Sequence, residues 1–406
     1  MTSHLKNRNI VIIGGGGTGA AAARDLALRG YTPVLIERDE FTGGTTGRHH
    51  GQLHSGARYA VGDSAVAREC FNETVILRRI APDLIEDNGG LFIATSDEEA
   101  DFAETFRRAC SEAGIENTQI SGDEARRMEP ALSSQVRLAV SIPADASFDA
   151  WRLPAAFFAD AMEHGARLYR YAAALAIETS AGAVTAVRAL DRLTGKELRL
   201  EADAVINAGG PWVGKIAELA GGEMEVTPSP GTMVAVKGRL IERVISRLRP
   251  SEDGDILVPQ RTFSIIGSTQ WITEDPDRTS PPREDVQKLM SLADEMVPVF
   301  SGSPYRAAWS AARPLARRAA ETAGARSLSR DFECVHHRDE GAAGLFSLVG
   351  GKATILRIMG ETAADRVSAY FGDETRGSSA DSLLPPYRRF FDLLGAQEKE
   401  RREQWM

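Results

Sequence analysis

Ile10-Val11-Ile12-Ile13-Gly14-Gly15-Gly16-Gly17-Thr18-Gly19-Ala20-Ala21-Ala22-Ala23 is followed, after a few polar residues, by Val34-Leu35-Ile36-Glu37. The pattern is an apolar strand, a glycine turn, a small-residue helix and a second strand with an acidic end. Those are the parts of a dinucleotide fold, in the order G-x-G-x-x-G requires. Each glycine has a separate job. Gly14 permits the turn, Gly16 lets backbone approach a pyrophosphate, and Gly19 lets the helix pack close to the sheet. The helix N-terminus favours the phosphate charge. Glu37 can accept from ribose hydroxyls, which favours an adenosine without a 2′-phosphate.

FAD and NAD both use this fingerprint, so position has to discriminate. Here it starts within about fifteen residues of the N-terminus, as in many two-dinucleotide-fold flavoproteins. No second G-x-G-x-x-G follows: Val349-Gly350-Gly351-Lys352 precedes a helix pattern without the third spaced glycine. One dinucleotide is expected.

Composition narrows the class. The chain has 406 residues, 43% hydrophobic and 26% charged, as in an ordinary globular protein of two or three domains. That excludes a disordered chain, a fibre and a disulfide scaffold. No apolar run is long enough to span a bilayer, and the polar start shows no signal peptide. Cys70, Cys110 and Cys334 lie far apart and read as reduced thiols of a cytoplasmic protein, with no metal site among them. The net charge of −9 gives no electrostatic case for nucleic acid. Arginine outnumbers lysine 41 to 7, so a lysine beside a glycine turn stands out.

Residues 42–59 are chemically dense. Three of the seven histidines, His49, His50 and His54, fall within six residues, and Thr45, Thr46, Arg58 and Tyr59 stand around them. Small residues let the backbone pass close to a ligand. An imidazole can take a hydroxyl proton near neutral pH, so a base can come from this run.

The run Thr46-Gly-Arg-His-His-Gly-Gln-Leu-His-Ser-Gly-Ala-Arg-Tyr59 resembles the signature of the FAD-dependent glycerol-3-phosphate dehydrogenases, and among them the anaerobic large-subunit type. Further matches follow in order over about residues 8–372: Ala204-Val-Ile-Asn-Ala-Gly-Gly-Pro-Trp212, Phe263-Ser-Ile-Ile-Gly-Ser-Thr269, Trp309-Ser-Ala-Ala-Arg-Pro-Leu315, Ser329-Arg-Asp331 and Val349-Gly-Gly-Lys-Ala-Thr354. The resemblance implies FAD as cofactor and a small anionic substrate held by Arg58, Tyr59, Arg330 and Lys352. It gives His54 and Arg313 the catalytic roles. For FAD it implies Arg38, Gly44, Thr45, Thr46, His50, Gly51, Ala174, Gly209, Trp212, Gly351, Lys352, Ala353 and Thr354, beside the fingerprint's Gly14, Gly16, Gly19 and Glu37. Departures are His49 for an asparagine and Gln52 for an apolar residue, which bear on the flavin-side pocket, and Met233 where aerobic-type members have a histidine and Gln270-Trp271, which bear on the substrate pocket.

Pattern and resemblance together give an α/β chain. A discontinuous Rossmann-like FAD-binding domain takes residues 1–89, 146–225 and 326–372. A second α+β substrate domain on a mixed or antiparallel sheet takes 90–145 and 226–325, and 373–406 is a C-terminal tail. Helices are expected over 151–164, 283–296 and from Ala353 to about Tyr370, and a meander over 167–206. Glu284, Asp285 and Lys288 read as the wet face of the middle helix. The large subunits of the family carry a further cysteine-containing domain that this sequence does not show. The tail reads as packed on its own domain or as a docking helix for a partner or the inner face of a membrane.

Three functional readings stay open on the residues. The first is dehydrogenation of glycerol 3-phosphate or a close phosphorylated polyol. The second is oxidation of an amine, 2-hydroxy acid or phosphonate on the same scaffold. The third is a non-catalytic flavin-binding subunit. The electron acceptor, whether quinone, partner subunit or oxygen, is left open.

Overall fold

The structure, a computed structural model, describes residues 8–316 and 332–403. Ile10–Ile13 is buried at all four positions, because Ile10 and Ile12 pack under helices on one face of its sheet while Val11 and Ile13 pack against the strands 172–180 and 183–191 on the other. That sheet has six strands in the order 332–336, 345–350, 204–207, 10–13, 34–36 and 167–169. All pairs are parallel except the edge strand Phe332–His336. Helix Gly17–Leu28 lies against it through Ala20–Ala23, none more than 3% exposed. The small side chains let helix Leu356–Phe371 come close. A Cβ at Gly360 would stand 2.4 Å from the Ala21 carbonyl carbon.

The expected meander is shorter than its pattern. Arg167–Tyr169 joins the edge of the parallel sheet beside Val34–Ile36. The antiparallel meander is Ala172–Ser180, Ala183–Asp191 and Glu197–Glu201. A period of two shows that a segment is a strand but not which sheet it joins. Helix Arg152–Glu163 falls within the expected span, and the helix expected from Ala353 begins as a 3-10 turn, Ala353–Ile355, before Leu356–Phe371.

The second sheet has eight strands: 305–316, 226–237, 263–267, 256–260, 244–247, 90–94, 138–142 and 118–121. Only the 244–247 and 90–94 pair is parallel, so the sheet is mixed. Val226–Lys237 pairs with Tyr305–Ala316 along nearly its whole length. Pro228 and Pro230 lie in its first half, where the only ladder is with Tyr305–Ala316. Their carbonyls accept from Trp271 N and Thr273 N, so the missing proline donors face that irregular segment and not a regular neighbour. Helix Arg283–Met296 has the expected bounds and buries Leu289, Ala293 and Met296 on this sheet. The reading of Asp285 as wet face is corrected. Its carboxylate accepts from Thr232 Oγ1 at 3.1 Å and Thr269 Oγ1 at 2.5 Å, so it turns toward the sheet.

Among the described residues, no helix is long and apolar enough to cross a membrane. Cys70 and Cys110 are buried and Cys334 is half-buried, none in a disulfide.

Candidate active site: a cleft between the two sheets

A cleft of about 670 Å³ separates the two sheets, walled by the fingerprint on one side and the second sheet on the other. Its floor is backbone. Gly14 has φ +115°, and a Cβ there would stand 2.5 Å from the Ala208 carbonyl oxygen. At Gly16 the nearest atom to a Cβ is Thr46 Oγ1 at 3.2 Å, so this residue faces the cleft. Gly19 lies off the cleft wall. A Cβ there would meet the Gly14 carbonyl oxygen at 2.0 Å, which is the helix-to-turn packing expected of the third glycine. Thr46 Oγ1 accepts from Gly17 N at 3.0 Å, and Thr45 Oγ1 donates to the Ala312 carbonyl at 2.5 Å, tying this loop to the second sheet.

Glu37 ends its strand with one carboxylate oxygen accepting from Gly15 N at 2.7 Å and the other from Asp39 N at 2.9 Å. Burial pushes its carboxyl up, and those two N–H groups oppose the shift. The Arg38 guanidinium lies 4.2 Å from the Trp212 ring centroid, and both side chains donate to Asp277, at 2.9 and 3.1 Å. Gly44 sits under the Trp212 ring: a Cβ there would be 3.5 Å from it. Ala174, Gly209, Gly351 and Ala353 line the cleft. Gly51 and Thr354 do not. Gly51, at φ +85°, is closed in by Gln260 Nε2, and the buried Thr354 hydroxyl has no partner among the described residues. A glycine floor with a carboxylate at one end and small residues along both walls fits an extended dinucleotide such as FAD.

The inner end collects the chemical side chains. Gly56, at φ +94°, turns the chain where a Cβ would strike the Ala67 carbonyl oxygen at 2.2 Å, and the short helix Ala57–Tyr59 follows. That turn puts the His54 ring edge-on against Tyr59, with centroids 5.3 Å apart. Lys352 Nζ comes over the same Tyr59 ring at 5.3 Å. The Lys352 ammonium is buried and has no hydrogen-bond partner among the described residues. Arg58 is held by one nitrogen: Nη2 donates to Ser251 Oγ and to the fully buried Asp255, both at 2.8 Å. Its Nη1 is buried and has no such partner. Arg313 Nη2 donates to Ser268 Oγ at 2.5 Å. The structure therefore brings His54, Arg58, Tyr59, Arg313 and Lys352 to one cleft, while Arg330 lies outside the described residues.

His49 and His50 line the same end. His49 Nδ1 accepts from Gly51 N at 2.9 Å and His50 Nδ1 from Gln52 N at 3.2 Å. Burial holds the His49 imidazole down to about 4, with Asp149 opposing. Met233, in place of a histidine, is buried beneath: a Cβ at Gly267 would meet Met233 Cγ at 2.7 Å and His50 Cδ2 at 3.4 Å. Gln52 Nε2 donates to the fully buried Asp145, which also accepts from Ser55 N and Ser55 Oγ. Sequence reasoning missed Asp145, Ser251, Asp255, Ser268 and Asp277, all of which act through contacts remote along the chain.

A family model described as FAD dependent oxidoreductase matches residues 9–366. The chain is 38% identical over 389 residues to the A component of the anaerobic glycerol-3-phosphate dehydrogenase of Escherichia coli K12, covering 95% of this chain and 71% of that one. It is 36% identical over 391 residues to the A1 component of the Haloferax volcanii enzyme of the same name, covering 94% and 67%. Among solved structures, the glycerol-3-phosphate dehydrogenase from Bacillus halodurans, complexed with FAD, superposes with a TM-score of 0.71 at 22% identity, covering 94% of this chain and 68% of that one. Glycine oxidase from Geobacillus kaustophilus superposes at 0.74 and 22% identity, covering 93% and 99%; at such identities the likeness is one of fold.

Proposed function

Because the chain belongs to the family of FAD-dependent oxidoreductases, we propose that it dehydrogenates glycerol 3-phosphate, or a close phosphorylated polyol, to the ketone. The observation that carries this reading is the pair of buried cationic donors at the inner end. Lys352 Nζ and Arg58 Nη1 are buried with no hydrogen-bond partner among the described residues, and the two residues both line the cleft. A buried unpaired donor costs free energy, and a phosphomonoester carries the charge and oxygens to satisfy both.

FAD, when bound, supplies the hydride acceptor. Gly14, Gly16, Gly17, Thr46 and Glu37 would hold its phosphate and ribose portions. The chain's own residues do the rest. Arg58, pinned at Nη2, presents Nη1 to the substrate anion, and Lys352 adds a point charge beside it. Tyr59 forms the wall between Lys352 and His54. His54 accepts the hydroxyl proton, and Arg313, on the opposite sheet, orients the oxygen that becomes the carbonyl. The Escherichia coli and Haloferax volcanii relatives are each named for one subunit of a larger enzyme, which supports passage of the electrons to a partner subunit.

The test is an anaerobic mixing experiment. Glycerol 3-phosphate should bleach the oxidised flavin absorbance, whereas glycerol, glycine and lactate at the same concentration should not. Equal bleaching by an amino acid or a 2-hydroxy acid overturns the reading.

A further inference from the structure

Three side chains from distant parts of the sequence meet at the other end of the cleft. Arg38 follows Glu37, Trp212 packs over Gly44, and Asp277 comes from the second sheet's connection between Gly267 and Arg283. The arginine is stacked on the indole at 4.2 Å, and each donates to a different oxygen of the one carboxylate. The segment that carries Asp277 is fastened at its start. Thr269 N, Trp271 N and Thr273 N donate to the Thr232, Pro230 and Pro228 carbonyls, and Ser268 Oγ accepts from Arg313. Pro276, Asp277 and Thr279 line the cleft. The trio thus bridges from Glu37's neighbour to the wall over Gly44, across the stretch of cleft between the fingerprint carboxylate and the phosphate-side loop.

We propose that Asp277 is a positioning residue that clasps Arg38 and Trp212 over the adenosine–pyrophosphate part of the cleft and so controls the rate at which FAD leaves. The cofactor half of the site is then closed by the second sheet's connection and not by the fingerprint alone. Burial opposes the Asp277 charge, but the Trp212 N–H and the Arg38 guanidinium hold its carboxyl below the usual range, so the clasp stays charged at neutral pH. Asp277 and Arg38 are 53% and 40% exposed, so salt screens their attraction.

The experiment follows release of FAD from the purified holoenzyme after dilution, by the rise of free-flavin fluorescence. Asp277→Ala should speed release about tenfold, and Asp277→Asn by less, since one acceptor oxygen remains. Asp277→Ala made on top of Arg38→Met should speed release by a smaller factor than it does alone, because only the carboxylate's contact with Trp212 is then left to lose. Release from the wild type should quicken with added salt more than release from Asp277→Ala. Arg278→Ala, whose side chain is 86% exposed on the same segment, should leave the rate unchanged. The proposal is overturned if Asp277→Ala releases FAD within twofold of the wild-type rate. It is equally overturned if Asp277→Ala speeds release by the same factor with or without Arg38, the mark of a merely structural role for the segment.

Discussion

At the fingerprint end of the cleft the floor is built from residues 10–37, and the geometry is that of backbone and glycine. At the inner end, Arg58 is pinned by Asp255, 197 residues away, and Arg313 meets Ser268 from 45 residues away. The first end can be read from spacing, because its constraints are steric and contiguous: Gly19 against the Gly14 carbonyl needs no other part of the chain. The second depends on which charges are cancelled by neighbours, and that is settled only when the two sheets meet. A list of arginines cannot distinguish a cation consumed in the fold from one left facing a ligand. Arg58 is divided between the two, consumed at Nη2 and buried without a hydrogen-bond partner among the described residues at Nη1.

The largest expected effect tests whether the inner end does chemistry. His54→Asn keeps a similar shape but removes the imidazole base. Flavin reduction in stopped-flow should slow roughly 10²–10⁴-fold, with FAD still bound. Reduction at the wild-type rate would take His54 out of the mechanism and leave the inner end a binding site only.

A smaller effect concerns the loop that joins the two ends. His49 is neutral in the fold, with its pKa held down to about 4 by burial, against roughly 6.5 in the unfolded chain. Between those values the unfolded chain binds the extra proton, so stability falls as pH drops from about 6.5 toward 4. Urea unfolding of the holoenzyme at about pH 5 should show a loss near 2 kcal/mol relative to neutral pH that His49→Asn largely removes. An unchanged pH dependence in that variant would place the titration elsewhere.

Much of the fold was legible for reasons that the same contrast explains. Helix Arg283–Met296 was readable to its ends from apolar spacing, because burial of Leu289, Ala293 and Met296 imposes a period on the sequence. Asp285 on the same helix was misread, because a carboxylate one turn from the apolar stripe looks the same whether it meets solvent or two threonines. Arg167–Tyr169 was readable as a strand but not as a member of the parallel sheet. In the site, His54, Arg58, Tyr59, Arg313 and Lys352 were legible through motif resemblance and do line one cleft. Their fixing partners Asp255 and Ser251 carry no local signal, and Ser268 sits in a matching motif that gives it no role of its own. Arg38 and Trp212 were named for FAD, yet the carboxylate joining them lies 239 and 65 residues away.

The central claim is that the inner end holds an anion, and Lys352 tests it most directly, being a buried ammonium without a hydrogen-bond partner among the described residues. The measurement is the substrate concentration giving half-maximal rate of anaerobic flavin reduction, for wild type and Lys352→Ala, with glycerol 3-phosphate and with glycerol. One charge-assisted hydrogen bond is worth roughly 1.5–3 kcal/mol, or about ten- to a hundredfold in affinity. A weakening of that order is expected for glycerol 3-phosphate and almost none for glycerol, which offers the ammonium no charge. An equal change for both ligands, with FAD fully bound, would contradict it.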